Sequence, residues 1–180
     1  HLEITRDIAE RFNNLYGEVF TVPEAYFGKN SAKVMSLQEP TRKMSKSDEN
    51  VNATIMLLDD KDTIIRKFKR AVTDSEAEVR YGEDKPGISN LMDIYGCVTG
   101  KTNDEITAEF AGKGYGDFKL AVGEAVADEL APLQKRYEEL LKDKAYIENC
   151  IKENDAKAAY FANKTLRKVH KKIGLTEMIR

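Results

Sequence analysis

A polar and basic stretch, Thr41-Arg-Lys-Met-Ser-Lys-Ser-Asp-Glu-Asn50, marks the point at which the sequence pattern of the chain changes. Before it, the runs Glu18–Val22 and Lys33–Leu37 are rich in β-branched or apolar residues and are separated by Pro, Gly and Asn, which is typical of short strands. After it, apolar residues recur at helical spacing to the end of the chain. The change predicts a domain boundary here, with residues 1–50 on one side and 51–180 on the other.

The apolar pattern predicts one helix at the start of the chain and a bundle of helices after the basic stretch. These helices are predicted to begin near Leu2, after the N-cap Asp60, at Pro86, after the capping box Thr102–Glu105, after the N-cap Asp117, near Tyr146 and near Ala158. Gly100 and Gly174 are predicted left-handed C-caps, and Pro132 predicts a bend in its helix. The predicted fold class is therefore mainly α.

Composition excludes several classes of protein. The 180 residues carry 29 Lys and Arg against 31 Asp and Glu, a net charge of -2, so no global basic field favours non-specific nucleic-acid binding. The 33% of charged residues and the few Pro and Gly exclude a disordered or fibrous chain. No apolar run approaches the roughly 18 residues of a membrane span, and nothing resembles a signal peptide, which predicts a cytosolic protein. Cys97 and Cys150 form no metal or disulfide pattern and are expected to be reduced.

The pentamer Lys43-Met44-Ser45-Lys46-Ser47 is the candidate for chemistry. Two lysines three residues apart can place two ammonium charges near one polyphosphate, while the serine hydroxyls and free backbone N–H groups add donors. Cations on a mobile loop can stabilise the charge that builds on departing pyrophosphate. The alternative is a solvated basic turn in which Ser47 or Asp48 only caps the element that follows.

The pentamer matches the Lys-Met-Ser-Lys-Ser signature of class I aminoacyl-tRNA synthetases. Other segments occur in the same order as in bacterial-type tryptophanyl-tRNA synthetases: Val34–Asp48, Leu57–Asp60, Ala71–Glu76, Lys85–Leu91 and Gly112–Gly116. Tyrosyl-tRNA synthetases usually carry a variant of the lysine loop and lack the Thr-Asp-Ser-Glu and Lys-Pro-Gly-Ile-Ser-Asn segments. Over essentially its whole length, the chain resembles the tryptophan family.

This resemblance has consequences for the extent and fold of the chain. The sequence begins with His1, not Met, and the family's Gly-Glu-Asp-Gln segment, its other ATP signature and its tryptophan pocket all lie upstream of the matching position. The chain is therefore expected to be the C-terminal portion of a longer enzyme. Residues 1–50 would form the C-terminal end of a Rossmann-like α/β nucleotide-binding domain, and residues 51–180 an α-helical anticodon-binding domain.

The resemblance also implies site residues and partners. It places Lys43 and Lys46 on the ATP phosphates as the catalytic pair, with Met44, Ser45 and Ser47 completing the loop and Val34 and Met35 holding the adenine. Mg²⁺ is implied as a companion of ATP, without a metal ligand from the protein. The implied reaction joins tryptophan and ATP to tryptophanyl-adenylate and transfers the amino acid to tRNA(Trp), in a cytoplasmic enzyme that is a homodimer at full length. The 180 residues alone are not expected to complete it.

The last predicted helix carries a second basic signal. No acidic residue lies between positions 164 and 172, which contain five basic residues: Lys164, Arg167, Lys168, Lys171 and Lys172. These basic residues are candidates for contact with tRNA phosphates. A solvated helix face is an equal alternative, because the helix dipole already favours Lys and Arg near a C-terminus. For the whole chain, two other functions stay open at this point: a non-catalytic helical module that binds RNA or protein, and a tyrosine–tRNA ligase.

Overall fold

The computed structural model of the chain describes residues 1–26 and 33–176. Its helices are α1 (Leu2–Tyr16), α2 (Lys61–Lys69), α3 (Pro86–Thr99), α4 (Asn103–Glu109), α5 (Tyr115–Leu141) and α6 (Lys144–Ile173). The described residues form no strand, and the predicted mainly α fold class is confirmed. None of these helices has the length and apolar character that crossing a membrane requires.

The described residues divide into two compact units. One consists of residues 33–139, and the other combines residues 1–26 with residues 140–176. The predicted boundary after residue 50 stays a prediction.

Helix ends follow the capping chemistry of the sequence. Asp60 accepts a hydrogen bond from the Thr63 N–H (2.8 Å) and begins α2. In front of α4, Thr102 and Glu105 form both hydrogen bonds of a capping box. Gly100 ends α3 at φ 75°. This left-handed conformation would be strained for a residue with a side chain. These predicted ends are confirmed.

The two predicted strands are wrong. In the first, the N–H groups of Val19 and Phe20 both donate to the Asn13 side chain at 3.0 Å, so a side chain of α1 replaces a neighbouring strand. In the second, pairing is reduced to one antiparallel bridge between Met35 and Lys43. A strand needs a continuous partner for its N–H and C=O groups, and here local and side-chain hydrogen bonds satisfy them instead.

Two predicted helix limits also differ from the structure. Because α5 begins at Tyr115, Asp117 lies within its first turn and is not its N-cap. The segments predicted to begin near Tyr146 and Ala158 form the single helix α6, which Asp143 caps through the Tyr146 N–H at 2.9 Å. No Gly or Pro lies between Lys144 and Ile173 to end the helix.

In the unit formed by residues 33–139, α3 lies at the centre of the core. Ile88, Leu91 and Met92 are almost fully buried on this helix. Around it are the buried ring of Phe110, which directly follows α4, and buried side chains of the other helices of the unit: Ile64, Phe68, Ile106, Phe118 and Val122. The Phe118 ring lies 4.8 Å from that of Phe110 in an edge-to-face arrangement. Met44, a residue of the candidate site, packs against this core.

Candidate functional site

The lysine loop, Lys43–Ser47, lies next to the segment predicted to hold adenine. Met35 pairs with Lys43 in the antiparallel bridge, and the Met44 N–H donates to the Val34 carbonyl at 3.0 Å. The structure therefore brings together all seven residues predicted for ATP. Their proximity does not follow from the sequence alone, because a turn of several residues separates Val34 and Met35 from Lys43–Ser47.

Within the loop, Ser45 forms the turn. Its hydroxyl oxygen accepts the Ser47 N–H at 3.2 Å, and its carbonyl accepts both the Asp48 N–H (3.2 Å) and the Thr54 hydroxyl (2.7 Å). Met44 packs partly buried against the core. The backbone of the loop is thus anchored at two points, and the Ser45 O–H remains able to donate to an anion.

The two lysine side chains of the loop are exposed. In the described residues neither ammonium takes part in an ion pair, whereas neighbouring Arg42 pairs with Glu39 at 2.9 Å. That carboxylate raises the pKa of Arg42 through a hydrogen bond and charge attraction. Lys43 and Lys46 are therefore the cations of this segment whose charge is available to a bound phosphate.

Lys46 also lies at the edge of an open groove of about 510 Å³. The groove is almost entirely apolar and is lined by Lys46, Thr54, Ile55, Met56, Leu57, Leu58, Leu133 and Tyr137. It provides apolar surface beside a cation, in the size range of small-molecule sites.

An ion pair with little exposure to solvent holds Thr54, which in turn bonds to the lysine loop. The Lys67 ammonium lies 2.5 Å from the Asp59 carboxylate and donates to the Thr54 carbonyl at 2.9 Å. The Thr54 hydroxyl in turn holds the Ser45 carbonyl. The ion pair thus lies two hydrogen bonds from the centre of the lysine loop.

The sequence analysis missed Lys67, although a signal was present. Lys67 follows Ile64 by three residues and precedes buried Phe68, which places it on the apolar face of α2. A lysine on such a face requires a carboxylate partner, because an unpaired buried ammonium is costly. Asp59, eight residues upstream, is that partner.

Asn90 is a second residue that the sequence analysis missed. It is buried on α3, and both ends of its side-chain amide bond to the backbone of Met35. A buried Asn on an otherwise apolar helix face is the corresponding signal, because its amide needs partners.

Three of the family-like segments meet around one buried lysine away from the loop. Lys85 is 1% exposed and contacts Asp74 (3.1 Å), Glu76 (2.5 Å) and the Tyr115 hydroxyl (2.9 Å). Burial disfavours the ammonium, but its hydrogen bonds with Glu76, Tyr115 and Asp74 outweigh this and raise the pKa of Lys85. Burial also raises the pKa of Asp74, yet hydrogen bonds from Tyr115 and Lys85 leave it below its ordinary value. These segments serve the fold of this unit.

The basic residues near the end of the chain share one helix. Lys164, Arg167, Lys168, Lys171 and Lys172 are all exposed on α6. Arg167, Lys168, Lys171 and Leu175 line a shallow groove of about 390 Å³. The helix thus presents adjacent exposed cations, and Leu166, which lies between them in the sequence, is 47% exposed.

Comparison with known proteins identifies the family. The model of tRNA synthetases class I (W and Y) matches residues 1–131, more than half of the chain. The chain belongs to this family. The shared region includes the lysine loop and helices α1 to α4 entirely, together with the first part of α5.

Within the class I synthetases, curated relatives include the tryptophan–tRNA ligases of Clostridium tetani, 53% identical over 174 residues, and Clostridium acetobutylicum, 48% identical over 174 residues. Each match covers 97% of this chain and 52% of the relative. The chain therefore spans about half the length of these synthetases. The resemblance to bacterial-type tryptophanyl-tRNA synthetases is confirmed, and neither alternative function is favoured.

Solved synthetase structures give the same result for the fold. Tryptophanyl-tRNA synthetase from Mycoplasma pneumoniae superposes with a TM-score of 0.86 at 30% identity, covering 98% of this chain and 53% of that one. The enzyme from Campylobacter jejuni, described as complexed with ADP and tryptophan, gives a TM-score of 0.65 at 30% identity and covers 97% of this chain and 54% of that one.

Proposed function

We propose that the chain is part of a tryptophan–tRNA ligase, which activates tryptophan with ATP and transfers it to tRNA(Trp). The observation that carries the proposal is the juxtaposition of the anchored lysine loop with Val34 and Met35 in a chain about 50% identical to such ligases. The Campylobacter jejuni relative, whose structure is described as complexed with ADP and tryptophan, supports an adenine nucleotide and tryptophan as ligands.

In this proposal Lys43 and Lys46 bind the ATP phosphates. The tryptophan carboxylate attacks the α-phosphorus of ATP, and the bond from that phosphorus to the oxygen shared with the β-phosphorus breaks. That oxygen leaves with pyrophosphate, and the two ammonium groups stabilise the negative charge that develops on it. Ser45 and Ser47 donate from the loop, and Met44 anchors it in the core. Val34 and Met35 contact the adenine through backbone and apolar groups.

The donor set of the site suits ATP with a bound divalent cation. Ammonium and hydroxyl groups bind phosphate oxygens, and Mg²⁺ would be held mainly by those oxygens because it keeps few protein ligands in such sites. The proposal assigns no metal ligand to the protein.

The remaining partners follow from the family. The tryptophan pocket would lie mostly outside this chain, the full-length enzyme would be a cytoplasmic homodimer, and the chain alone would not catalyse the reaction. Lys164, Arg167, Lys168 and Lys171 on α6 would contact tRNA phosphates. Such contacts supply affinity that falls with salt, without reading sequence themselves.

Exchange of labelled pyrophosphate into ATP by the full-length protein tests the function. Tryptophan, and not tyrosine, should drive the exchange. Lys46→Ala should lower the exchange kcat on the order of a hundredfold or more, because it removes a cation from the developing charge, while the dissociation constant of tryptophan changes little.

Lys61→Ala is the matched control for this experiment. Lys61 is an exposed lysine of the same unit that pairs with Asp128 at 2.9 Å, and its removal should leave exchange unchanged. Equal losses of tryptophan affinity and of exchange in Lys46→Ala would contradict a catalytic role for the loop. Exchange driven by tyrosine would contradict the substrate.

A further inference from the structure

Asn90 makes an unusual pair of hydrogen bonds for a helical side chain. It lies in the second turn of α3, is 4% exposed, and follows Met35 by 55 residues. Its Oδ1 accepts the Met35 N–H at 2.8 Å, and its Nδ2 donates to the Met35 carbonyl at 3.0 Å. A neighbouring β-strand would offer the same acceptor and donor to an extended residue.

The other hydrogen bonds of this segment point in the opposite direction. The Val34 carbonyl accepts a hydrogen bond from the Met44 N–H, and the Ser36 N–H donates to the Arg42 carbonyl at 2.8 Å. In an extended chain the polar groups of successive residues alternate between two sides. The backbone groups of Val34 and Ser36 therefore form hydrogen bonds on the side of the segment that faces the lysine loop. Those of Met35 form hydrogen bonds with Asn90 on the opposite side.

The position of Asn90 is itself determined by close packing. At Gly87, one turn earlier in α3, an added Cβ would lie 2.3 Å from the Val72 carbonyl oxygen. The Val72 N–H donates to the Leu37 carbonyl at 2.7 Å. The first turn of α3 is thus held close to the residues that follow Met35, with no room for it to shift toward them.

We propose that Asn90 is a positioning residue for ATP. It makes the two hydrogen bonds that a neighbouring strand would make to Met35. By holding the backbone of Met35 it sets, through the bridge, the position of Lys43 relative to the adenine-contacting segment. The inference rests on the proposed function, because ATP is the ligand of both groups. Asn90 itself contacts neither the reacting atoms nor the nucleotide.

Substitution in the full-length protein tests this role. Asn90→Ala should lower kcat/KM for ATP in pyrophosphate exchange by about tenfold to a hundredfold, because small displacements of positioning groups have effects of this size. The KM for tryptophan should stay within about twofold of the unsubstituted value. Hydrogen exchange of the Met35 amide should become faster, since its acceptor is removed.

Ser89→Ala is the matched control. Ser89 is the preceding residue of α3, is 9% exposed, and likewise bonds both backbone groups of one residue, Gly82, at 3.0 and 2.8 Å. Because Ser89→Ala removes two hydrogen bonds of a buried side chain, as Asn90→Ala does, both variants should lower the melting temperature to a similar extent. It should leave kcat/KM for ATP and the exchange of the Met35 amide unchanged.

Three outcomes would overturn the inference. The first is an equal loss of kcat/KM for ATP in both variants, and the second is a loss in Asn90→Ala that falls equally on ATP and tryptophan. The third is unchanged exchange of the Met35 amide in Asn90→Ala. If Asn90→Ala does not fold, Asn90→Asp, which keeps the shape and an acceptor but not the donor, should show the same selective loss.

Failure of the proposed function gives a different result. If the unsubstituted full-length protein shows no tryptophan-dependent exchange, the proposed function is wrong and so is the assignment of ATP to Asn90. Amide exchange at Met35 would then still report whether Asn90 holds this segment.

Discussion

The two compact units of the chain differ in how far their apolar residues are buried. In residues 33–139, Ile88 and Phe118 are fully buried, and most of the other apolar side chains of α3 are no more than 9% exposed. In the described residues 1–26 and 140–176, Ala9 is the only buried apolar residue, and α6 has no buried residue over 30 positions. The periodic pattern that predicts a helix therefore does not predict burial.

The same contrast holds for single residues of one type. Ile8 on α1 is 63% exposed and Ile88 on α3 is 0% exposed, although both lie on apolar stripes. A buried isoleucine gains about 2 to 3 kcal/mol from the removal of its surface from water, and an exposed one gains little. Residues 33–139 should therefore supply most of the stability of the chain.

The largest expected effect compares two phenylalanines. Phe118→Ala should lower the free energy of unfolding by about 3 to 5 kcal/mol, because it opens a cavity beside the rings of Tyr95 and Phe110. Phe161→Ala, at a position on α6 that is 65% exposed, should change it by about 0.5 kcal/mol or less. Urea denaturation followed by circular dichroism measures both. Similar losses would show that a partner covers α6.

A smaller effect is expected from two ion pairs. Asp59→Ala should cost about 3 kcal/mol, since it leaves the Lys67 ammonium, 7% exposed, without a counter-charge. Glu10→Ala breaks the pair with Arg6 on α1, where the side chains are 50% and 37% exposed, and should cost about 0.5 kcal/mol or less. Urea denaturation again provides the measurement.

A double variant at the Asp59–Lys67 pair tests why Asp59→Ala is destabilising. If the unpaired ammonium is responsible, Lys67→Met introduced together with Asp59→Ala should recover part of the lost stability. A double variant that is less stable than Asp59→Ala would contradict this explanation. It would indicate that the bond from Lys67 to Thr54 carries most of the stabilisation.

The smallest expected effects have opposite signs at two glycines. A Cβ at Gly116 in α5 would meet no atom within 4 Å, so Gly116→Ala should stabilise by about 0.5 to 1 kcal/mol by restricting the unfolded chain. Gly174 ends α6 at φ 79°, and Gly174→Ala should destabilise by about 1 kcal/mol. Thermal melting distinguishes the two. A loss of stability in Gly116→Ala would mean that another molecule or segment approaches this turn.

Much of the fold was predictable because helices depend on local chemistry. The stripe of α1, the cap at Asp60, the capping box of α4 and the stop at Gly100 all act between residues within a few positions of each other. The conformation of residues 18–22 and 33–37, which were wrongly predicted as strands, could not be predicted in this way. Strand pairing depends on partners elsewhere in the chain, and the side chains of Asn13 and Asn90 take the place of those partners.

The candidate site shows the same division. The lysine loop was recognisable from five consecutive residues, and the resemblance assigned Val34 and Met35 to adenine contact. The residues that hold this arrangement, Lys67 and Asn90, carry no motif. Their roles depend on burial and on distant partners, which local sequence does not reveal.

The sequence by itself determined the helical pattern, most of the helix ends and the identity of the lysine loop, because each depends on neighbouring residues. Only the tertiary structure decided which apolar stripes are buried and which buried polar side chain holds which backbone. Both depend on residues that are far apart in sequence and close in space, as Asn90 is to Met35. The lysine loop can therefore be recognised in the sequence, whereas the residues that support it can be identified only in the tertiary structure.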